Sequence, residues 1–159
     1  MRRVFTFVLA VAIACGAAHA RAQTKPSFAG NWTIVPDPNA PAGGMMGMGP
    51  DMTIAQDEKT ITITRSSQMG EFKSVYKLDG SDSPNTLSFN GNDMTMMSHA
   101  KWDADKLGIK TSMDFNGNAI ETSMTLSLDK AGNLVLESTR PDFQGGGDAI
   151  TTKQTYKKK

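Results

Sequence analysis

The sequence predicts an all-β domain: an up-and-down antiparallel meander of about ten short strands that closes on itself as a barrel. Three observations predict it. Apolar and polar residues alternate with a period of two along nearly every regular stretch, which suits strands with one buried face. The stretches are separated by short turn signals: Asp57-Glu58-Lys59, Asp79-Gly80, Asn90-Gly91-Asn92, Asn116-Gly117-Asn118 and Asp129-Lys130-Ala131-Gly132-Asn133. No stretch carries the 3.6-residue apolar period of a helix. One-sided strands in unbroken hairpin order bury their apolar faces and remove their edges by closing up.

The first strand is read over 28–35, where Phe28, Gly30, Trp32 and Ile34 share one face. Residues 36–50 follow, with four of the seven prolines and four of the fifteen glycines, and no regular structure is expected there. Met52, Ile54 and Gln56 then alternate with Thr53 and Ala55. In Thr60-Ile61-Thr62-Ile63-Thr64 the β-branched residues suit a half-buried strand. Phe72, Ser74, Tyr76 and Leu78 share a face, and Leu87 and Phe89 mark a short fifth strand. Met94, Met96, Ser98, Ala100 and Trp102 oppose Thr95, Met97, His99 and Lys101. Leu107, Ile109, Thr111, Met113 and Phe115 form the next apolar row, answered by Ile120, Thr122, Met124, Leu126 and Leu128. Leu134, Leu136 and Ser138 follow, and a last strand is read over 149–156.

The first twenty residues have the pattern of an export signal: Arg2 and Arg3, an uncharged run over 4–14, and Ala18-His19-Ala20 as a small-x-small cleavage site. The run is too short to span a membrane, and no later segment is long enough as a helix. The mature chain is expected to begin at Arg21 or Gln23 and to be periplasmic or secreted. A rival reading takes residues 11–15 as a lipobox with Cys15 lipidated. The chain thus divides into a signal peptide (1–20), a linker (21–27), the barrel (28–157) and a basic end (158–159), with Lys157-Lys158-Lys159 expected to fray in solvent.

Loss of the leader takes the formal charge from +1 to −1, because Arg2 and Arg3 leave with it. A near-neutral domain has no electrostatic case for binding nucleic acid. Cys15 and His19 also leave. The domain then has no thiol, and His99 is its only histidine, which excludes zinc sites of several Cys or His ligands and restricts a Ser-His-Asp triad to His99. Asp103, Asp105, Asp114, Glu121 and Glu137 fall in turns or on polar faces, away from any partner that would tune them. No enzyme activity and no cofactor are expected.

The order of motifs along the mature chain, Phe28-Ala29-Gly30-Asn31-Trp32, Thr60 to Arg65, Ala100-Lys101-Trp102-Asp103 and Thr155-Tyr156-Lys157, resembles secreted bacterial lipocalin-like (calycin-type) proteins of unassigned function. The resemblance implies a lipocalin-like barrel whose first Trp plugs the closed end, a long first loop over the mouth, and a ligand-sized interior. A T-D-Y run is absent, and no late Arg is evident to cover the Trp.

The candidate ligand contacts lie on the apolar faces. Ser98, Thr111, Thr122 and Ser138 are hydroxyls set among apolar residues, and a buried hydroxyl must be bonded or wet. Either they pair across strands in a solid core, or they orient a ligand's polar atom in a cavity. With Tyr76, Met96, Trp102, Met113 and Met124 they form the predicted site for a small apolar or amphipathic molecule. Trp102 is expected nearer to that ligand than Trp32. The alternatives are a solid-core interaction barrel and a copper protein using Met45, Met46, Met48, Met52, Met94, Met96, Met97 and His99, since thioethers suit Cu(I). Alternation opposes the second: it turns Met94 and Met96 one way and Met97 and His99 the other. Nothing in the sequence sets the oligomeric state.

Overall fold

The computed structural model describes residues 25–37, 48–67, 70–89, 92–115, 117–142 and 147–159. The ten strands are β1 Gly30–Ile34, β2 Met48–Gln56, β3 Thr60–Ser67, β4 Gly70–Lys77, β5 Ser83–Phe89, β6 Asn92–Asp103, β7 Lys106–Phe115, β8 Asn118–Leu128, β9 Leu134–Arg140 and β10 Ile150–Lys158. The all-β, up-and-down prediction holds. All pairings are antiparallel, in the order β4-β3-β2-β1-β10-β9-β8-β7-β6-β5. Among the described residues no helix is long and apolar enough to cross a membrane.

The first and last strands join the two halves. Trp32 faces Lys158 and Ile34 faces Tyr156 across the β1–β10 ladder. The Lys159 amide donates to the Asn31 carbonyl at 2.9 Å, and the Lys159 ammonium lies 2.6 Å from Asp51. The lysine end is therefore not frayed: its backbone completes a ladder, and its last side chain meets a carboxylate. Lys158 also turns inward, with its Nζ 5.7 Å from the Trp32 ring. It does for Trp32 what the missing late Arg was expected to do.

Gly30 is required here. Its φ is +148°, and a Cβ would meet Lys158 Cε at 2.8 Å. The glycine makes room for a side chain, not for the neighbouring backbone.

Between β4 and β5 the ladder is missing, and the barrel is nearly rather than fully closed. The Asp79-Gly80 turn forms, yet the two strands are joined by side chains. Asn85 Oδ1 accepts from the Val75 amide at 2.7 Å, and Asn85 Nδ2 donates to the Val75 carbonyl at 3.1 Å. Ser83 Oγ accepts from the Lys77 amide at 2.9 Å. Pro84, between them, has no N–H to give to a ladder. The tail of the Gly/Pro stretch also differs from expectation. Residues 48–50 belong to β2, which shifts register between Met48 and Met52.

Aspartates hold the turns. Asp57 accepts the Lys59 and Thr60 amides at 2.7 and 2.6 Å, and Asp129 accepts the Ala131 and Asn133 amides at 2.8 and 2.9 Å. The Asn133 side-chain amide also donates to Asp129 at 2.8 Å and is the main cause that holds this carboxyl below its ordinary range, while the backbone amides do the same for Asp57.

One end of the barrel is packed solid. Phe28, Ile61, Ala100, Leu107, Leu126, Leu134 and Leu136 are fully buried, with Trp32, Ile54 and Tyr156 nearly so. Trp32 Nε1 donates to the Phe28 carbonyl at 2.9 Å. Gln56 accepts the Phe28 amide at 2.8 Å and donates to the Pro26 carbonyl at 3.2 Å. Phe28 is thus the stopper of the closed end, and Pro26, in the segment read as a linker, is tied to it.

Candidate functional site

Registers place most of the predicted contacts together. On the inward face Met96 pairs with Met113, and Met113 with Ile120. Ser98 pairs with Thr111, and Thr111 with Thr122. Met124 pairs with Ser138, and Ser138 with Thr152. Met96, Ser98, Thr111, Met113, Thr122, Met124 and Ser138 therefore form one continuous patch across β6 to β9. Tyr76 lies on β4, outside it.

Burial changes along this wall. Ala100, Leu107, Ile109 and Leu126, towards Trp32, are at most 1% exposed. Further along the same inward rows, Phe72, Leu87, Met94, Met96, Met113, Ile120, Thr122 and Met124 are only half-buried. A filled barrel would bury these apolar side chains as it buries Leu107. The interior is packed at one end and accessible at the other.

Three of the four hydroxyls bond across strands. Ser98 Oγ and Thr111 Oγ1 are 2.8 Å apart, and Ser138 Oγ and Thr152 Oγ1 3.1 Å. Among the described residues no buried side-chain nitrogen or oxygen lacks a partner. The patch is a pre-set wall, not a set of unsatisfied groups.

Trp102 does not join the patch. Its ring stacks on Phe28, with centroids 5.7 Å apart and planes 13° from parallel, and Lys25 Nζ lies 5.3 Å from its centroid. The sequence pattern set it nearer the ligand than Trp32. It belongs instead to the closed end, because it stands beside the Asp103–Lys106 turn, where β6 has already passed the packed layer.

Two groups have no counterpart in the sequence-based site. Arg65 stands opposite Met52 and Phe72, so it faces inward, and it is half-buried. Its Nη2 donates to Met52 Sδ at 3.4 Å, and its guanidinium lies 5.9 Å from the Tyr156 ring. Tyr156 donates to Gln154 Oε1 at 2.9 Å. Burial pushes the Tyr76 and Tyr156 phenols above their ordinary value, while the Arg65 charge draws both partly back. The signal was available: in Thr60 to Arg65, Arg65 has the parity of Ile61 and Ile63.

A cavity of about 480 Å³ lies mostly against the outside of β6 to β9, lined by His99, Lys110, Thr111, Ser112, Glu121, Thr122, Ser123, Thr139, Arg140, Pro141 and Ala149. Charged and hydroxyl side chains line it, and it shares Thr111 and Thr122 with the inward patch. His99 Nδ1 pairs there with Asp82 at 3.2 Å. Met97 points outward at 36% exposure, so β6 divides its methionines between two faces. Met45 and Met46 lie outside the described residues. Among the described residues no cluster of His, Asp and Glu could hold a metal ion. Asp103, Asp105, Asp114, Glu121 and Glu137 are exposed.

No known protein family matches the chain, and no curated protein does. Among solved structures it is similar to one described as "REP1-NXSQ fatty acid transporter". The likeness covers 82% of this chain and 94% of that one, at 14% identity and a TM-score of 0.56. It shows the fold. A nearly closed all-β barrel is compatible with holding a hydrophobic molecule.

Proposed function

We propose that the protein is an exported, non-enzymatic binding barrel that takes up a small apolar or amphipathic molecule in the accessible end of its interior. The observation that carries this is the burial gradient: inward apolar rows that are sealed around Leu107 and Leu126 are only partly buried around Met96, Met113 and Ile120. A ligand there would remove that apolar surface from water, worth about 25 cal/mol per Å². The fatty acid transporter of similar fold supports the same reading. Export rests on the leader-like residues 1–20, and intact mass of the secreted form tests it: a chain beginning at Arg21 or Gln23 is expected, and a lipidated Cys15 would contradict it.

Binding is tested with delipidated protein and N-phenyl-1-naphthylamine, a neutral apolar fluorophore. Saturable, blue-shifted emission is expected. Thr122→Leu adds bulk to the wall, and it should weaken uptake several-fold while leaving the thermal midpoint near wild type. Emission no greater than with a solid-core control protein would sink the proposal and leave an interaction barrel in its place.

A further inference from the structure

We propose that Arg65, with Tyr156 and Gln154, is a head-group site for a carboxylate, so that the ligand of this barrel is a long-chain carboxylic acid. This rests on the binding reading above and narrows it.

A guanidinium stays protonated in proteins, and placing it among apolar groups is unfavourable unless an anion or strong acceptors meet it. Arg65 faces the interior between Met52 and Phe72 and is half-buried. Its neighbours are a thioether sulfur at 3.4 Å and the Tyr156 phenol, whose ring lies 5.9 Å away and whose hydroxyl it also reaches. Both are neutral. The carboxylate contacts His99–Asp82, Lys153–Glu137 and Lys159–Asp51 all lie elsewhere, and none involves Arg65. Among the described residues, then, no carboxylate answers the charge of this inward Arg.

Position comes next. Tyr156 is 4% exposed and belongs to the packed end, whereas Gln154 and Thr152, next along the same inward row of β10, are half-buried. Arg65 therefore stands where the sealed core meets the accessible wall. An acid held there would direct its chain past Phe72, Thr152 and Met124 towards Met96. Planar guanidinium and planar carboxylate match through two parallel hydrogen bonds. The Gln154 amide adds a neutral donor, and the Tyr156 hydroxyl, whose proton goes to Gln154 Oε1, holds that amide in place. A single cation in an apolar surround matches a monoanion; a phosphate dianion would leave a buried excess of negative charge.

The experiment compares decanoate with 1-decanol, which share a chain but not a charge, as competitors of N-phenyl-1-naphthylamine at pH 7.5. Wild type should release the probe at roughly tenfold lower decanoate than decanol, the scale of one charged hydrogen bond. In Arg65→Gln the preference should vanish while decanol competes as before; in Arg65→Lys it should persist in part. Equal competition by acid and alcohol in wild type, or a preference that survives Arg65→Gln, would overturn the head-group site and leave the binding barrel standing. Failure of both competitors and of the probe would remove both. The wild-type comparison needs no variant to fold.

Discussion

Asn85 stands in for a strand residue at the place where the barrel has no ladder: its side-chain amide accepts from the Val75 N–H at 2.7 Å and donates to the Val75 carbonyl at 3.1 Å. A backbone pair in an antiparallel ladder exchanges the same two bonds. Asn85 is 7% exposed, so water is a poor substitute. Asn85→Ala is predicted to cost about 2–3 kcal/mol, since it orphans a donor and an acceptor together. Urea unfolding measures the loss, and faster hydrogen exchange at the Val75 amide locates it. An unchanged midpoint would show that the seam does not depend on this side chain.

Gly30 gives a second prediction. With φ at +148° and Lys158 Cε 2.8 Å from the place an alanine methyl would occupy, Gly30→Ala meets both strain and a contact. The expected cost is about 1–3 kcal/mol. Adding Lys158→Ala should recover only part of it, because the contact is relieved and the backbone strain is not. Full recovery would mean that the contact alone mattered.

The ten strands and the shared inward face of β6 to β9 were legible because alternation is a local property, and closely spaced turns fix which strands pair. The seam between β4 and β5 was not. Asp79-Gly80 signals a hairpin, and only the placement of Ser83, Pro84 and Asn85 shows that side chains replace the ladder. Trp102 was misplaced because face and depth are different questions: alternation turned it inward, but its place at the very end of β6 brings it against Phe28. Arg65 could have been found from its parity with Ile61 and Ile63. Its lack of an acidic neighbour could not, since that depends on strands far apart in sequence.

The closed end should be the keystone of stability. Phe28 is fully buried, accepts the Trp32 indole N–H and stacks on Trp102. Phe28→Ala is expected to cost about 3–5 kcal/mol and to red-shift Trp emission. In wild type, acrylamide should quench Trp102 and largely spare Trp32, which is 2% exposed. Equal quenching of single-Trp variants would contradict this placement.

Alkaline pH should weaken the fold. Burial, the main cause, raises Tyr76 and Tyr156 above the value of about 10 that they have when unfolded. The unfolded chain therefore gives up protons first. Stability is fully present below about pH 10 and falls as pH climbs beyond it. Ultraviolet titration of the phenols should show late ionisation coupled to unfolding. Both tyrosines ionising at the ordinary value in folded protein would refute it.

The central claim is that a ligand enters the accessible end, and the methionine methyls can report it directly. Met96 and Met97 are neighbours on β6 that face opposite ways, and Met113 and Met124 share the wall with Met96. With 13C-methyl-methionine protein, added decanoate should shift the Met96, Met113 and Met124 signals saturably and leave Met97 unmoved. If those three stay still at saturating ligand, or if Met97 moves as much as they do, the interior is not the binding site.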